Sequence, residues 1–129
     1  MSIRLLVADD HDVVVAGIDW MTASTSDIRL IGSAHNGEDA LRLIAETDPD
    51  VVLLDVRMPV MDGLACLSRM QTVTARAAVV MFSGYDNPTY IARAVALGAC
   101  GYLSKSASAD QLLQAIRHAA GGHSLWSRD

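Results

Sequence analysis

Five times along this chain a short apolar run is followed by a stretch whose apolar residues recur at helical spacing, and few architectures accommodate that alternation. Ile3 to Ala8, Arg29 to Ala34, Asp50 to Asp55, Ala77 to Phe82 and Cys100 to Ser104 read as strands. The third contains Val51-Val52-Leu53-Leu54, the pattern of a strand covered on both faces. Asp12 is expected to cap a first helix running to about Ala23, and Asn36 a second with Asp39 in its first turn. A third helix is predicted from about Gly63, with Leu64, Leu67 and Met70 on one face. Pro88 suits the first turn of the fourth, and Gly98 marks its end. Ser108 and Gln111 match a capping box for the fifth, which Gly121-Gly122 stops. Strands separated by helical crossovers pair in parallel, and the fixed hand of the crossovers covers both faces of the sheet. The predicted fold is therefore α/β: a doubly wound, five-stranded parallel sheet with five helices.

The length of 129 residues suits one domain, and 51% hydrophobic residues suffice for its core. Residues 1–121 are expected to form that domain and 122–129 a linker or tail, in which Leu125 and Trp126 are unusual for a free end. No apolar run approaches the ~20 residues that span a bilayer, and the start lacks a signal-peptide layout, so a cytoplasmic protein is expected. A net charge of −5 repels nucleic acid phosphates, so no direct nucleic acid binding is expected of this chain. Cys66 and Cys100 read as reduced packing residues. The four histidines show no zinc spacing and read as packed or solvated.

Ligands of open parallel sheets bind beyond the carboxyl ends of the strands. There the chain concentrates its polar residues: Asp9 and Asp10 after the first strand, Asp55 at the third, Ser83 after the fourth, Lys105 after the fifth. Singly, most have ordinary explanations. An aspartate caps a helix, Ser83-Gly84 makes a turn, and a loop lysine is solvated. Asp55 is different, because a carboxylate after four apolar residues is costly without a partner. Three converging carboxylates call for a cation, and hard oxygen ligands with room for water suit Mg²⁺. A lysine and a hydroxyl opposite them suit phosphoryl oxygens, and an aspartate can itself be phosphorylated. The constellation reads as Mg²⁺-dependent phosphoryl transfer to a carboxylate.

Val7-Ala8-Asp9-Asp10-His11, the run Leu54 to Gly63, Phe82-Ser83-Gly84 and the run Gly98 to Lys105 together resemble the signature segments of response-regulator receiver domains of two-component systems. The resemblance spans about residues 3–121. It is nearest to receivers that precede a LuxR-type helix-turn-helix domain, the NarL/FixJ class. It implies a flavodoxin-like fold of strand order 2-1-3-4-5. It also implies that Asp55 is the phospho-acceptor, supplied by a sensor histidine kinase. Mg²⁺ would be held by Asp9 (partly through water), Asp10, Asp55 and the backbone carbonyl of Arg57. Lys105 and Ser83 would bind the phosphoryl group, and Ser83 and Tyr102 would form the switch. Such a domain is not an enzyme beyond its own phosphorylation and dephosphorylation. Its output would be transcription, through a DNA-binding domain outside this chain. Arg57 and Tyr85 would flank the path of attacking water.

Three positions depart from the pattern. Ser106 replaces a proline common after the lysine, so a trans Lys105–Ser106 bond or a local rearrangement is expected. Asp12 also replaces a frequent proline, and Val15 an arginine. The first helix is apolar nearly all round, and Val15 is its leading candidate for a phosphorylation-dependent homodimer contact.

Alternatives make distinguishable demands. An aspartyl-phosphate phosphatase usually carries D-x-D after its first strand, whereas Asp9 and Asp10 are adjacent. A flavin domain needs a Ser/Thr/Gly-rich phosphate loop there, which Asp9-Asp10-His11-Asp12 would oppose. A stand-alone receiver or pseudo-receiver acting only by protein–protein interaction is opposed by the complete acceptor set.

Overall fold

The computed structural model describes residues 2–73, 76–84 and 87–126. Tyr85 lies outside them. In chain order the elements are β1 (Ile3–Ala8), α1 (Asp12–Ala23), β2 (Ile28–Ala34), α2 (Gly37–Thr47), β3 (Val51–Leu54), α3 (Gly63–Met70), β4 (Ala78–Ser83), α4 (Pro88–Ala96), β5 (Gly101–Ser104) and α5 (Ala109–Ala120). All strand pairs are parallel and the order is β2-β1-β3-β4-β5, as expected of the doubly wound fold. β1 pairs with β2 through a bulge: Leu5 faces Leu30 and Leu6 faces Gly32, leaving Ile31 as the extra residue.

The period-two alternation of the strands sorts two cores. Leu6, Ala8, Val52, Leu54, Val79 and Met81 point to one face, where α2, α3 and α4 lay down Ala40, Ile44, Leu64, Leu67, Met70 and Ala94. Leu5, Val7, Val51, Leu53, Val80 and Phe82 point to the other, against Ile18 of α1 and Leu112, Ile116 and Ala119 of α5. Every residue of β3 is buried, the physical reason for its unbroken apolar run.

Most helix starts agree with the sequence. Asn36 accepts from Asp39 N–H, Pro88 occupies the first turn of α4, and Ser108 and Gln111 complete a capping box. Asp12 does not cap α1: it is the first helical residue, and its carboxylate lies 3.0 Å from His35 Nε2. The N-cap position belongs to His11, which makes no side-chain cap. The first turn instead takes its shape from Asp9, whose carboxylate accepts from His11 N–H at 2.9 Å. Val15 is half-buried against the α1/α5 core, while Val13 and Trp20 stand outward, 85% and 78% exposed. The Lys105–Ser106 bond is trans. Cys66 and Cys100 are both free thiols. Burial, and then the charge of Asp62, push the Cys66 thiol up to about 12, so it stays protonated and packs as an apolar group.

Beyond Gly121-Gly122, residues 125 and 126 pack back against the domain. Leu125 N–H donates to the Cys100 carbonyl at 2.7 Å, and the Trp126 indole donates to the Ala99 carbonyl at 2.9 Å.

Arg117 of α5 grips Asp27, in the α1–β2 turn, through two hydrogen bonds of 2.7 and 3.1 Å. That hydrogen bonding holds the Asp27 carboxyl below its ordinary value of 3.8. A depressed native value adds stability above the unfolded value, and the gain is lost as pH falls through the native one. Asp27→Asn is therefore expected to lower the melting temperature at neutral pH. The gap to wild type should close as pH falls below 3.8, measured by circular dichroism melts. A gap independent of pH would refute the ion-pair origin.

Candidate functional site

The C-terminal ends of β1, β3, β4 and β5 converge, and the sequence-predicted residues meet there. Asp9 follows β1 and is 1% exposed; Asp55 follows β3 and is 2% exposed; Ser83 ends β4 and is 1% exposed. Asp10 lies at the rim, with its side chain one-third exposed. The main chain fixes these positions. Asp9 N–H donates to the Ala34 carbonyl and Asp55 N–H to the Ala8 carbonyl, both at 2.9 Å, so the two carboxylates stand side by side on adjacent strands.

Lys105 closes the pocket. Its ammonium lies 2.8 Å from Asp9 Oδ2 and 3.1 Å from Asp55 Oδ2. Its amide donates to the Ser83 carbonyl at 3.0 Å, which ties the β5–α5 loop to the end of β4. Burial alone would lower the Lys105 value. Hydrogen bonds and charge from Asp9 and Asp55 outweigh it and hold the ammonium above the ordinary lysine value of 10.5. For Asp55, burial first and the charge of Asp9 second raise the carboxyl above 3.8, against partial relief from Lys105 and the Arg57 main-chain N–H. One lysine does not fully compensate two buried carboxylates.

The residual need is visible atom by atom. Asp55 Oδ1 is buried with no hydrogen-bond partner, and Asp9 Oδ2 accepts no well-aligned hydrogen bond although Lys105 is near. Ligand atoms of Asp9, Asp10, His11 and Asp55 lie within 4.8 Å of one another. A cavity of about 360 Å³ opens beside them, lined by Asp10, His11, Arg57, Met58 and Pro59. Clustered carboxylate oxygens, an unpartnered one among them, with open space alongside, fit a hard divalent cation that keeps some of its water.

His11 was not expected here. Its Nδ1 lies 2.9 Å from Asp9 Oδ1, 3.2 Å from Asp10 Oδ1 and 3.9 Å from Asp55 Oδ2. The available signal was its place directly after the acidic pair, which spacing rules for zinc do not weigh. The Arg57 guanidinium donates to Tyr90 Oη at 3.3 Å. Tyr102 is half-buried on the α2–α4 face of β5, one strand over from Met81. Gly63, read only as a helix start, allows the β3–α3 loop to fold back on the acceptor strand. Its N–H donates to the Val56 carbonyl at 2.8 Å, and a Cβ there would overlap the Asp55 carbonyl oxygen. Asp62 caps α3 by accepting from Ala65 N–H. Earlier in the same loop Val60 holds φ +68°, strained for a β-branched residue.

A family model described as the response regulator receiver domain matches residues 5–117. Among curated proteins, the response regulator GacA of Pseudomonas aeruginosa is 38% identical over 120 residues, covering 93% of this chain and 56% of GacA. The nitrate/nitrite response regulator NarL of Escherichia coli is 34% identical over 123 residues, covering 95% of this chain and 57% of NarL. The chain thus spans little more than half the length of these relatives. Among solved structures, the signal receiver domain of the response regulator NarL from Mycobacterium tuberculosis superposes with a TM-score of 0.90. It is 31% identical and covers 95% of this chain and 98% of that one. No helix among the described residues is long and apolar enough to cross a membrane.

Because Asp55 is raised, its ionisation opposes folding at neutral pH. Without divalent cations, Asp55→Asn is expected to melt above wild type at pH 7. The advantage should fade as pH falls through the raised value toward 3.8, where the wild-type carboxyl is also neutral. Equal or lower melting of the variant at pH 7 would show that Lys105 neutralises the pocket fully.

Proposed function

The chain belongs to the response-regulator receiver domain family, and we propose that Asp55 accepts a phosphoryl group from a sensor histidine kinase, with Mg²⁺ as the cofactor. The observation that carries this reading is the asymmetry of the Asp55 carboxylate: Lys105 holds Oδ2, while buried Oδ1 has no partner. The Asp55 carboxylate is the nucleophile. It forms the new P–O bond as the phosphorus–nitrogen bond of the kinase phosphohistidine breaks and the imidazole takes a proton. Asp9, Asp10, Asp55 and the Arg57 carbonyl would hold the cation. When bound, the cation offsets carboxylate repulsion and the charge on the phosphoryl oxygens. Lys105 and the Ser83 hydroxyl then bind the phosphoryl oxygens, and Lys105 gives up its bond to the Asp55 oxygen to do so.

That exchange draws the β4 and β5 ends together, and Tyr102, on the same short strand, moves with them. The change is a shift of populations within one fold. The domain catalyses only its own phosphorylation and dephosphorylation. It works in the cytoplasm and controls transcription through a DNA-binding domain beyond this chain. With a net charge of −5 it does not itself bind DNA. In the presence of Mg²⁺ and acetyl phosphate, intact mass is expected to show one added phosphoryl group on wild type and none on Asp55→Asn. Uptake by the variant at the wild-type rate, or none by wild type, would overturn the assignment.

The outward stripe of α1 supports a homodimer that phosphorylation strengthens. Val13 and Trp20 bracket Ala16 and Gly17 on one helix face, and nothing lies within 4 Å of where a Gly17 Cβ would be. A partner helix can approach such a surface closely, and an exposed tryptophan is a typical anchor. Sedimentation is expected to show a weak dimer, tighter with beryllofluoride and lost in Trp20→Ala. A monomer in both states at high protein concentration would refute it.

A further inference from the structure

β5 is an edge strand of four residues, about 13 Å long at the usual rise. Its C-terminal end is fixed by Lys105, through two carboxylates and the Ser83 carbonyl. Its N-terminal end is fixed by the segment after α5. Leu125 and Trp126 donate hydrogen bonds to the Cys100 and Ala99 carbonyls. Their side chains straddle the sheet edge: Leu125 packs with the α1/α5 core and Trp126 with the α2–α4 core. Leu125 also fills the space beside Gly101, where a Cβ would lie 2.6 Å from Leu125 Cδ1. The strand bearing Tyr102 is therefore held at both ends.

We propose that Leu125 and Trp126 form a strap that restrains β5, so that loosening the strap eases phosphorylation of Asp55. The proposal rests on Asp55 as acceptor. A phosphoryl group on Asp55 obliges Lys105 to change partners, which displaces one end of a short, stiff strand. The strap resists at the other end, through two hydrogen bonds and the packing of two large side chains. Coupling between two such sites is reciprocal: modification at Asp55 loosens the strap, and loss of the strap lowers the cost of the modified conformation.

The test uses the whole chain with Trp20→Phe, which leaves Trp126 as its one indole, since the sequence has two tryptophans. Addition of Mg²⁺ and beryllofluoride is expected to shift Trp126 emission to the red and increase its quenching by acrylamide. In the wild-type background, Leu125→Ala combined with Trp126→Ala should bind beryllofluoride more tightly, about five-fold or more at typical coupling strengths, and should be phosphorylated by acetyl phosphate faster. Trp126→Phe, which keeps a ring but loses the hydrogen bond, should give a smaller acceleration. Gly101→Ala, which displaces Leu125 without altering the tail, should accelerate uptake as well. A purely structural tail would lower the melting temperature without raising the rate. Unchanged or slower uptake in all three variants, or a silent Trp126, overturns the strap. If wild type takes up no phosphoryl group at all, the acceptor assignment fails first and the strap falls with it.

Discussion

Everything at the carboxyl edge of this sheet depends on one unequal contact: a single ammonium, Lys105, set against two buried carboxylates, Asp9 and Asp55. The fold bears this arrangement because the strand cores beneath are dense and fully apolar. Each carboxylate extends a strand whose last residues are almost completely buried, Val7 and Ala8 in one case and Leu53 and Leu54 in the other. Each acid is also pinned at its main chain by a hydrogen bond to the neighbouring strand. Charge repulsion is thereby stored in the resting domain and can be drawn on by a cation or a phosphoryl group. A surface cluster of the same residues would relax by moving apart, and would store nothing.

The architecture was legible from the sequence because each of its cues is local and redundant. Strand and helix periods alternate five times, and caps at Asn36 and Ser108 mark helix starts with chemistry that works over three residues. The site was legible because polar residues at strand ends have few other reasons to stand directly after apolar runs. What was missed required distance information. Asp12 has the composition of an N-cap, but the turn before it is already organised by Asp9, and Asp12 enters the helix instead. His11 resembles a solvated residue until β3 brings Asp55 within 3.9 Å. Val15 and Val13 are indistinguishable by hydropathy; only the rotation of α1 on the sheet decides which is half-buried and which faces out. Gly63 matters for its missing Cβ, and the obstacle, the Asp55 carbonyl, lies eight positions earlier in the chain.

The tail shows the same limit. The seven residues after a Gly-Gly stop carry no periodicity, so sequence alone supplied only the oddity of Leu125 and Trp126. Their partners are backbone carbonyls at Ala99 and Cys100, which have no sequence signature. Side-chain type announced that something apolar had to be covered, and tertiary structure alone could say what.

The bulge in β2 and the tail on β5 have a joint consequence. An open parallel sheet ends in two unpaired strands, each a template for adding a foreign strand. At one margin Ile31 breaks the regular spacing of β2 and twists it away from flat pairing. At the other, Leu125 and Trp126 occupy carbonyls at the start of a strand only four residues long. Both margins are thus poor templates, so strand-by-strand growth into aggregates is disfavoured and encounters between copies are diverted to helical surfaces, which can part again.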